Sequence, residues 1–157
     1  MPFDNISQAT ISTERVINAP PAQVYMAWSN PGVKARWFVG PRGQWKERIR
    51  EFDFRVGGRE RLVGVTLDGK TLTYDARYLD IIPEERIVYN YEMSFDKFRV
   101  SISLATLLFA PEGSGTRLKY MEQALFLDGY DDAGRREKRS VVLLDHMENS
   151  LRVKPAR

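Results

Sequence analysis

Tyrosines at alternating positions are the side chains of this sequence that most clearly indicate chemistry. Between residues 71 and 80 apolar side chains alternate with polar ones, which predicts a strand with one buried face. Two tyrosines lie on that face, two alternate along the next strand, and one lies in the last strand: Tyr74, Tyr78, Tyr89, Tyr91 and Tyr120. A phenol offers a flat apolar ring and one hydroxyl. If these faces point inwards, they predict a binding site for a small hydrophobic or aromatic ligand. The alternative is a packed aromatic core.

Glu122 is the candidate for acid–base chemistry because it shares a strand face with Leu118 and Tyr120. A carboxyl group on a concave apolar face is desolvated, which raises its pKa and suits it to proton transfer or to anchoring a ligand. The alternatives are a position at the wet rim of the sheet or an ion pair with Arg61. Glu122 is therefore a candidate for ligand binding and only a weak candidate for catalysis.

Several kinds of site are excluded by composition. The chain has no cysteine and one histidine, His146. Disulfides, thiolate nucleophiles and multi-histidine zinc sites are thus excluded, and a Ser-His-Asp triad nearly so. No pair of carboxylates has a spacing that indicates a metal or glycosidase site, so no metal and no cofactor is predicted.

The charge pattern argues against nucleic acid as a partner. The net charge is +3, with both signs interspersed. The main basic cluster, Arg135, Arg136, Lys138 and Arg139, has acidic neighbours, which favours a solvated helix face over phosphate binding. No apolar run approaches the ~20 residues that span a bilayer. The start of the chain lacks a signal-peptide pattern, so we expect no membrane association and a cytoplasmic location.

The predicted elements form one domain over residues 1–157, with a core at 9–152. Strands are predicted at 9–17, 48–54, 59–66, 71–80, 86–93, 99–109 and 116–124, and short helices at 21–29 and 33–37. Short hairpin connections make the sheet antiparallel. Trp37 ends the second helix, either as a core residue or as part of a ligand site.

A long C-terminal helix is predicted at 131–152, with Asp131 and Asp132 as N-cap candidates. Its apolar side carries Ser140, Leu143, Leu144, Met147 and Leu151. A sheet of about seven strands that curves around this side is the simplest α+β architecture. It predicts a cavity between sheet and helix, lined by the five tyrosines, Glu122, Trp37, Leu144 and Met147.

Six short motifs together resemble a known family. They are Ala19-Pro20-Pro21 before a helix with Val24 and Trp28, Arg36-Trp37-Phe38, Asp53-Phe54-Arg55-Val56-Gly57-Gly58-Arg59, Asp68-Gly69, Ile82-Pro83-Glu84-Glu85-Arg86-Ile87-Val88 and Gly115-Thr116-Arg117-Leu118. In this order they resemble the homologues of the activator of heat-shock-protein-90 ATPase, in the START-like or SRPBCC superfamily. The resemblance implies a helix-grip fold, in which an antiparallel sheet grips a long C-terminal helix around a hydrophobic cavity. Members often carry a Gly-Trp pair early in that helix, where this chain has Arg139-Ser140-Val141. The cavity is therefore either wider here or filled by other side chains.

Three functions follow from the resemblance, since one fold hosts many activities. The first is binding of a small hydrophobic or aromatic ligand without transforming it. The second is an enzyme of the cyclase or dehydratase type, with Glu122 as acid–base. The third is a co-chaperone-like module that stimulates a chaperone ATPase. A homodimer through an exposed strand edge is possible, although no sequence feature requires it.

Overall fold

The computed structural model describes residues 5–41 and 43–152. Seven strands and three helices are formed by these residues: β1 (Ile6–Ile17), α1 (Pro21–Ser29), α2 (Pro31–Trp37), β2 (Trp45–Phe52), β3 (Arg59–Thr66), β4 (Thr71–Ile82), β5 (Arg86–Phe95), β6 (Phe98–Glu112), β7 (Gly115–Leu127) and α3 (Ala133–Ser150). The predicted elements are thus all confirmed in type and order. The predictions for Met1 to Asp4 and beyond Arg152 lie outside the described residues.

The strands form one antiparallel sheet in the order β1-β7-β6-β5-β4-β3-β2. Each of β2 to β7 pairs with its neighbour in sequence, as expected for hairpin connections. Only β1 crosses over, because α1 and α2 follow it and β1 pairs with the last strand instead. The sheet curves, and α3 packs against β1 and α2. This architecture is the predicted helix-grip fold.

Helix α3 begins at Ala133, two residues later than predicted, so that Asp131 lies before the helix. Asp132 is the N-cap, and its carboxylate accepts a hydrogen bond from the backbone N–H of Arg135 at 3.0 Å. Asp131 precedes the helix, and its side chain is only 2% exposed. One aspartate therefore caps the helix, as the sequence predicted for either, while the other turns into the protein.

The core lies between the concave face of the sheet and the three helices. Leu144 and Met147 of α3 are 2% and 0% exposed, and each such burial stabilises the fold by roughly 1.5–3 kcal/mol. Trp28 of α1 packs edge-on against Trp37 of α2 at 4.7 Å between ring centroids. The Trp37 indole N–H donates to the carbonyl of Ala27 at 2.9 Å. Trp37 is therefore a core residue that ties α2 to α1.

None of the helices described is both long and apolar enough to cross a membrane.

Candidate ligand-binding site

The nine residues predicted to line the cavity lie in one region of the core. Seven of them belong to the buried hydrophobic cluster: Trp37, Tyr78, Tyr89, Tyr91, Tyr120, Leu144 and Met147. Tyr74 is partly buried and packs against this cluster. Glu122 is fully buried and accepts a hydrogen bond from the Tyr120 hydroxyl at 2.5 Å. The parity of the strands therefore turned these side chains inwards as expected. Ligand binding by them stays a prediction.

The five tyrosines, which we call the concave tyrosines (Tyr74, Tyr78, Tyr89, Tyr91 and Tyr120), are largely enclosed by protein. Four of the rings form a continuous series, with centroid distances of 5.2 Å for Tyr74 to Tyr91, 6.0 Å for Tyr91 to Tyr89 and 5.8 Å for Tyr89 to Tyr78. Burial raises the pKa of every one of these phenols above its ordinary value. All five are thus neutral hydrogen-bonding groups, and four of them have neighbouring rings.

Glu122 forms a buried ion pair, with a partner that the sequence did not indicate. Its Oε2 accepts hydrogen bonds from Arg136 Nη1 and from Ser103 Oγ, both at 2.6 Å. Its Oε1 is occupied by Tyr120. The alternative prediction of an ion pair between Glu122 and Arg61 is therefore wrong. Both carboxylate oxygens thus accept hydrogen bonds from protein donors, and the side chain is fully buried.

Arg136 corrects the interpretation of the basic cluster. Its side chain is 6% exposed, so this residue does not belong to a solvated helix face. Besides Glu122, its guanidinium donates to Tyr91 Oη at 2.7 Å, Ser101 Oγ at 2.7 Å and Asp131 Oδ2 at 3.1 Å. The helical pattern had counted each arginine as exposed because a cation is rarely buried unless it is paired. Here the partners come from the sheet and from the residues before α3.

Ser140 and Arg136 lie one helical turn apart on α3, and both side chains are buried. The Ser140 hydroxyl donates to the Arg136 carbonyl at 2.9 Å. The Arg136 guanidinium carbon lies over the rings of Tyr91 and Phe126, at 5.6 and 5.3 Å from their centroids. The interior next to this part of α3 therefore contains the Arg136 side chain.

A pocket of about 270 Å³ lies at the other end of the concave face, between α2 and the strands β2 and β3. The described residues that line it are Pro31, Lys34, Arg50, Glu51, Phe52, Glu60, Arg61 and Leu62. None of them belongs to the predicted set. The lining combines three apolar residues with five charged ones, and Lys34 and Glu60 are the two charged residues that are buried. A small ligand with an apolar part and a polar group could contact both kinds of side chain.

Lys34, Glu60 and Tyr78 form the polar part of this region, and we call them the lysine cluster. Lys34 Nζ donates to Glu60 Oε1 at 2.6 Å and to Tyr78 Oη at 3.2 Å, while Tyr78 donates to Glu60 Oε1 at 2.7 Å. The side chains of Lys34 and Glu60 are 5% and 4% exposed. Tyr78 therefore connects the pocket to the concave tyrosines.

Aromatic rings surround the ammonium group of Lys34. The distances from Nζ to the ring centroids are 4.8 Å for Phe38, 5.2 Å for Phe52, 5.7 Å for Trp28 and 5.9 Å for Tyr78. Rings at such distances attract a cation through their quadrupoles. Burial lowers the pKa of Lys34, and the charge of Glu60 opposes that effect. The amine is thus easier to deprotonate than an exposed lysine.

Sequence reasoning missed Lys34 and Glu60, although one signal pointed to Glu60. In β3 it alternates with Leu62, and both side chains are buried. For Lys34, the relevant fact is that Trp37 lies one helical turn away on α2 and is buried too. Within the part of the chain that the structure describes, no group of three acidic, histidine or cysteine side chains could hold a metal ion.

The chain resembles proteins of known structure along nearly its whole length. A protein from Rhizobium leguminosarum is 42% identical, with a TM-score of 0.88, over 94% of this chain and 96% of the other. A protein from Rhizobium loti is 35% identical, with a TM-score of 0.85, over 92% and 98%. One from Chromobacterium violaceum is 27% identical, with a TM-score of 0.67, over 94% and 98%. Comparison with curated proteins gave no match.

The family assignment rests on the alignment of a family model with most of the domain. The model described as "Activator of Hsp90 ATPase homolog 1-like protein" matches residues 18–151, from the end of β1 to the end of α3. This is the family that the six sequence motifs resembled. The chain is a member of the Activator of Hsp90 ATPase homolog 1-like protein family.

Proposed function

We propose that this protein binds a small ligand, with an aromatic or other apolar part and one polar group, in the pocket between α2 and strands β2 and β3. The single observation that carries the proposal is this pocket of about 270 Å³, with the buried Lys34–Glu60 pair in its wall. An apolar cavity of about 150 Å³ already accommodates benzene. The volume therefore suits a single substituted ring.

The lining offers apolar contacts for one part of a ligand and charged groups for its polar part. Pro31, Phe52 and Leu62 offer apolar contact to a ring, and Phe52 is also close to the Lys34 ammonium. Arg50 also lines the pocket, but its guanidinium already donates to the Phe38 carbonyl at 2.8 Å and to Glu47. Glu51 and Arg61 line the pocket as well, so the lysine cluster is the buried one among several charged groups that can orient the polar end of a ligand.

Two observations favour this pocket over the interior between the sheet and α3. Four of the concave tyrosines form a continuous series of neighbouring rings, so a ligand among these four would have to separate them. The acid–base alternative would further require Glu122 to release Arg136, Ser103 and Tyr120. In the pocket, by contrast, a ligand meets polar groups without breaking that network.

The experiment is ligand-observed NMR with phenol, benzyl alcohol and benzoate as single-ring probes. We expect saturation transfer from the protein to at least one probe. Leu62→Trp should abolish it, because the larger side chain extends into the pocket from β3. Leu79→Trp is the matched control, since Leu79 is 44% exposed on the neighbouring strand β4. Equal transfer in both variants would place the probe elsewhere, and no transfer to the wild-type protein would contradict the proposal.

A further inference from the structure

We propose that Lys34 captures small aldehydes as a reversible imine, with the ring of an aromatic aldehyde held in the pocket against Phe52 and Leu62. The inference rests on the pocket proposed above as the ligand site, and it adds a chemical class of ligand and a covalent bond. The geometry that supports it is a buried amine, a carboxylate and a phenol hydroxyl within hydrogen-bond distance of one another.

The amine has the surroundings that make a lysine nucleophilic. A lysine reacts with carbonyl carbon only as the neutral amine, and desolvation in an apolar pocket increases that fraction. Lys34 is 4% exposed and surrounded by four aromatic rings. Two of its three ammonium N–H groups are used by Glu60 and Tyr78. Among the described residues, the third N–H group has no hydrogen-bond acceptor, and Lys34 lines the pocket.

Glu60 is placed to move the protons that imine formation requires. Its carboxylate, 2.6 Å from Nζ, first takes a proton from the ammonium. The nitrogen lone pair then forms a bond to the carbonyl carbon while the C=O π pair moves to oxygen, which takes the proton from Glu60. Glu60 next removes a proton from the nitrogen and returns it to the hydroxyl, which leaves as water as the C=N bond forms. An ammonium and an aldehyde thus become a protonated imine and one water, with Glu60 again ionised.

The same site stabilises the product. A protonated imine at Nζ carries one positive charge, as the ammonium does, so it keeps the attraction of Glu60 and of the four rings. Tyr78, which donates to Glu60 at 2.7 Å, holds that carboxylate in place during the proton transfers.

Lys70 is the internal comparison. It also lies near a carboxylate, at 3.9 Å from Asp68, but its side chain is 60% exposed. It therefore has the charge partner of Lys34 without the desolvation, the rings or the pocket.

The test is reductive trapping of the full-length protein with benzaldehyde and cyanoborohydride near neutral pH, followed by peptide mapping. We expect a benzyl group on Lys34 that forms at least about tenfold faster than on Lys70, because only Lys34 has the buried site and the pocket beside it. Lys34→Met should lose this fast phase. Labelling of Lys70 at an equal or higher rate, or an unlabelled Lys34, would overturn the proposal. The ratio in the wild-type protein decides even if the variant does not fold.

Benzyl alcohol separates this inference from the proposed function, because it has the same ring and cannot form an imine. Binding of benzyl alcohol without a Lys34 adduct would remove the imine and leave the binding site. Absence of both would remove both proposals. An adduct on Lys34 that excess benzyl alcohol slows is the result expected if both are correct.

Discussion

Removing the buried guanidinium of Arg136 should be among the most damaging single changes to this fold. Arg136→Met leaves the apolar stem but deletes the charge between Glu122 and Asp131, whose side chains are 0% and 2% exposed. Glu122 would then lack its cation, and Asp131 would keep only Arg139, whose side chain is 52% exposed. Breaking one buried pair in this way typically costs about 3–5 kcal/mol. Since small domains are stable by only about 5–15 kcal/mol, a large share of the stability would be lost.

The assay is urea unfolding of the wild-type protein and of matched variants, followed by circular dichroism. Arg135→Met is the control, because Arg135 neighbours Arg136 on α3 but its pair with Asp132 is 67% and 55% exposed. It should cost about 1 kcal/mol or less. Arg136→Met combined with Glu122→Gln should recover part of the loss, since one uncompensated charge is removed with its partner.

If Arg136→Met were no more destabilising than Arg135→Met, the buried guanidinium would not stabilise the fold. That result would mean that water or rearranged side chains satisfy Glu122 without the guanidinium. A double variant less stable than Arg136→Met alone would likewise contradict the role assigned to the ion pair.

Three further predictions concern the sheet and the helix start. Folding raises the pKa values of the concave tyrosines, so their contribution to stability is complete below about pH 10 and is lost as the pH rises above it, by at most about 1.4 kcal/mol per pH unit for each tyrosine. We therefore expect tyrosinate absorbance to appear together with unfolding. Its appearance near pH 10 in the folded protein would contradict this prediction. Gly64→Ala should destabilise the protein by about 1–3 kcal/mol, because its Cβ would lie 2.1 Å from the Trp45 ring; Gly134→Ala, whose Cβ would meet its nearest neighbour at 3.4 Å, is the control in the same urea series. Asp132→Ala should lower the free energy of unfolding by about 1 kcal/mol because the N-cap is lost, whereas Asp132→Asn should keep most of the stability that the cap provides. An equal loss of stability in both variants would show that the charge matters and not the cap.

The elements were predictable from the sequence because their signals are local. Alternation defines strands such as β4, and Asp68-Gly69 marks a hairpin in which Gly69 has a φ of +84°. The errors are at the ends, where pairing and not residue type decides. β1 begins at Ile6 rather than at residue 9, because its N-terminal end pairs with Leu127 of β7. No local pattern reports a cross-strand partner so far along the chain.

The candidate site was only partly predictable because its polar members depend on partners distant in sequence. Lys34 and Glu60 are 26 residues apart, and Arg136 and Glu122 are 14 apart. An amphipathic pattern assigns each isolated charge to water. Such a charge is buried only when folding brings its partner to it. The parity of β7 did turn Glu122 inwards correctly, but parity does not say which cation faces it.

The two buried ion pairs lie on the same concave face, yet they leave different chemistry available. Around Arg136 both terminal nitrogens have carboxylate or hydroxyl acceptors, and Glu122 has donors at each oxygen, so the group holds α3 on the sheet. Around Lys34, Glu60 and Tyr78 use two of three ammonium donors, and a pocket lies beside them. A ligand gains most where polar groups are desolvated but not all engaged, because the protein has already lost their hydration. This difference is why we expect the Arg136–Glu122 pair to stabilise the fold and propose the Lys34–Glu60 pair for ligand recognition.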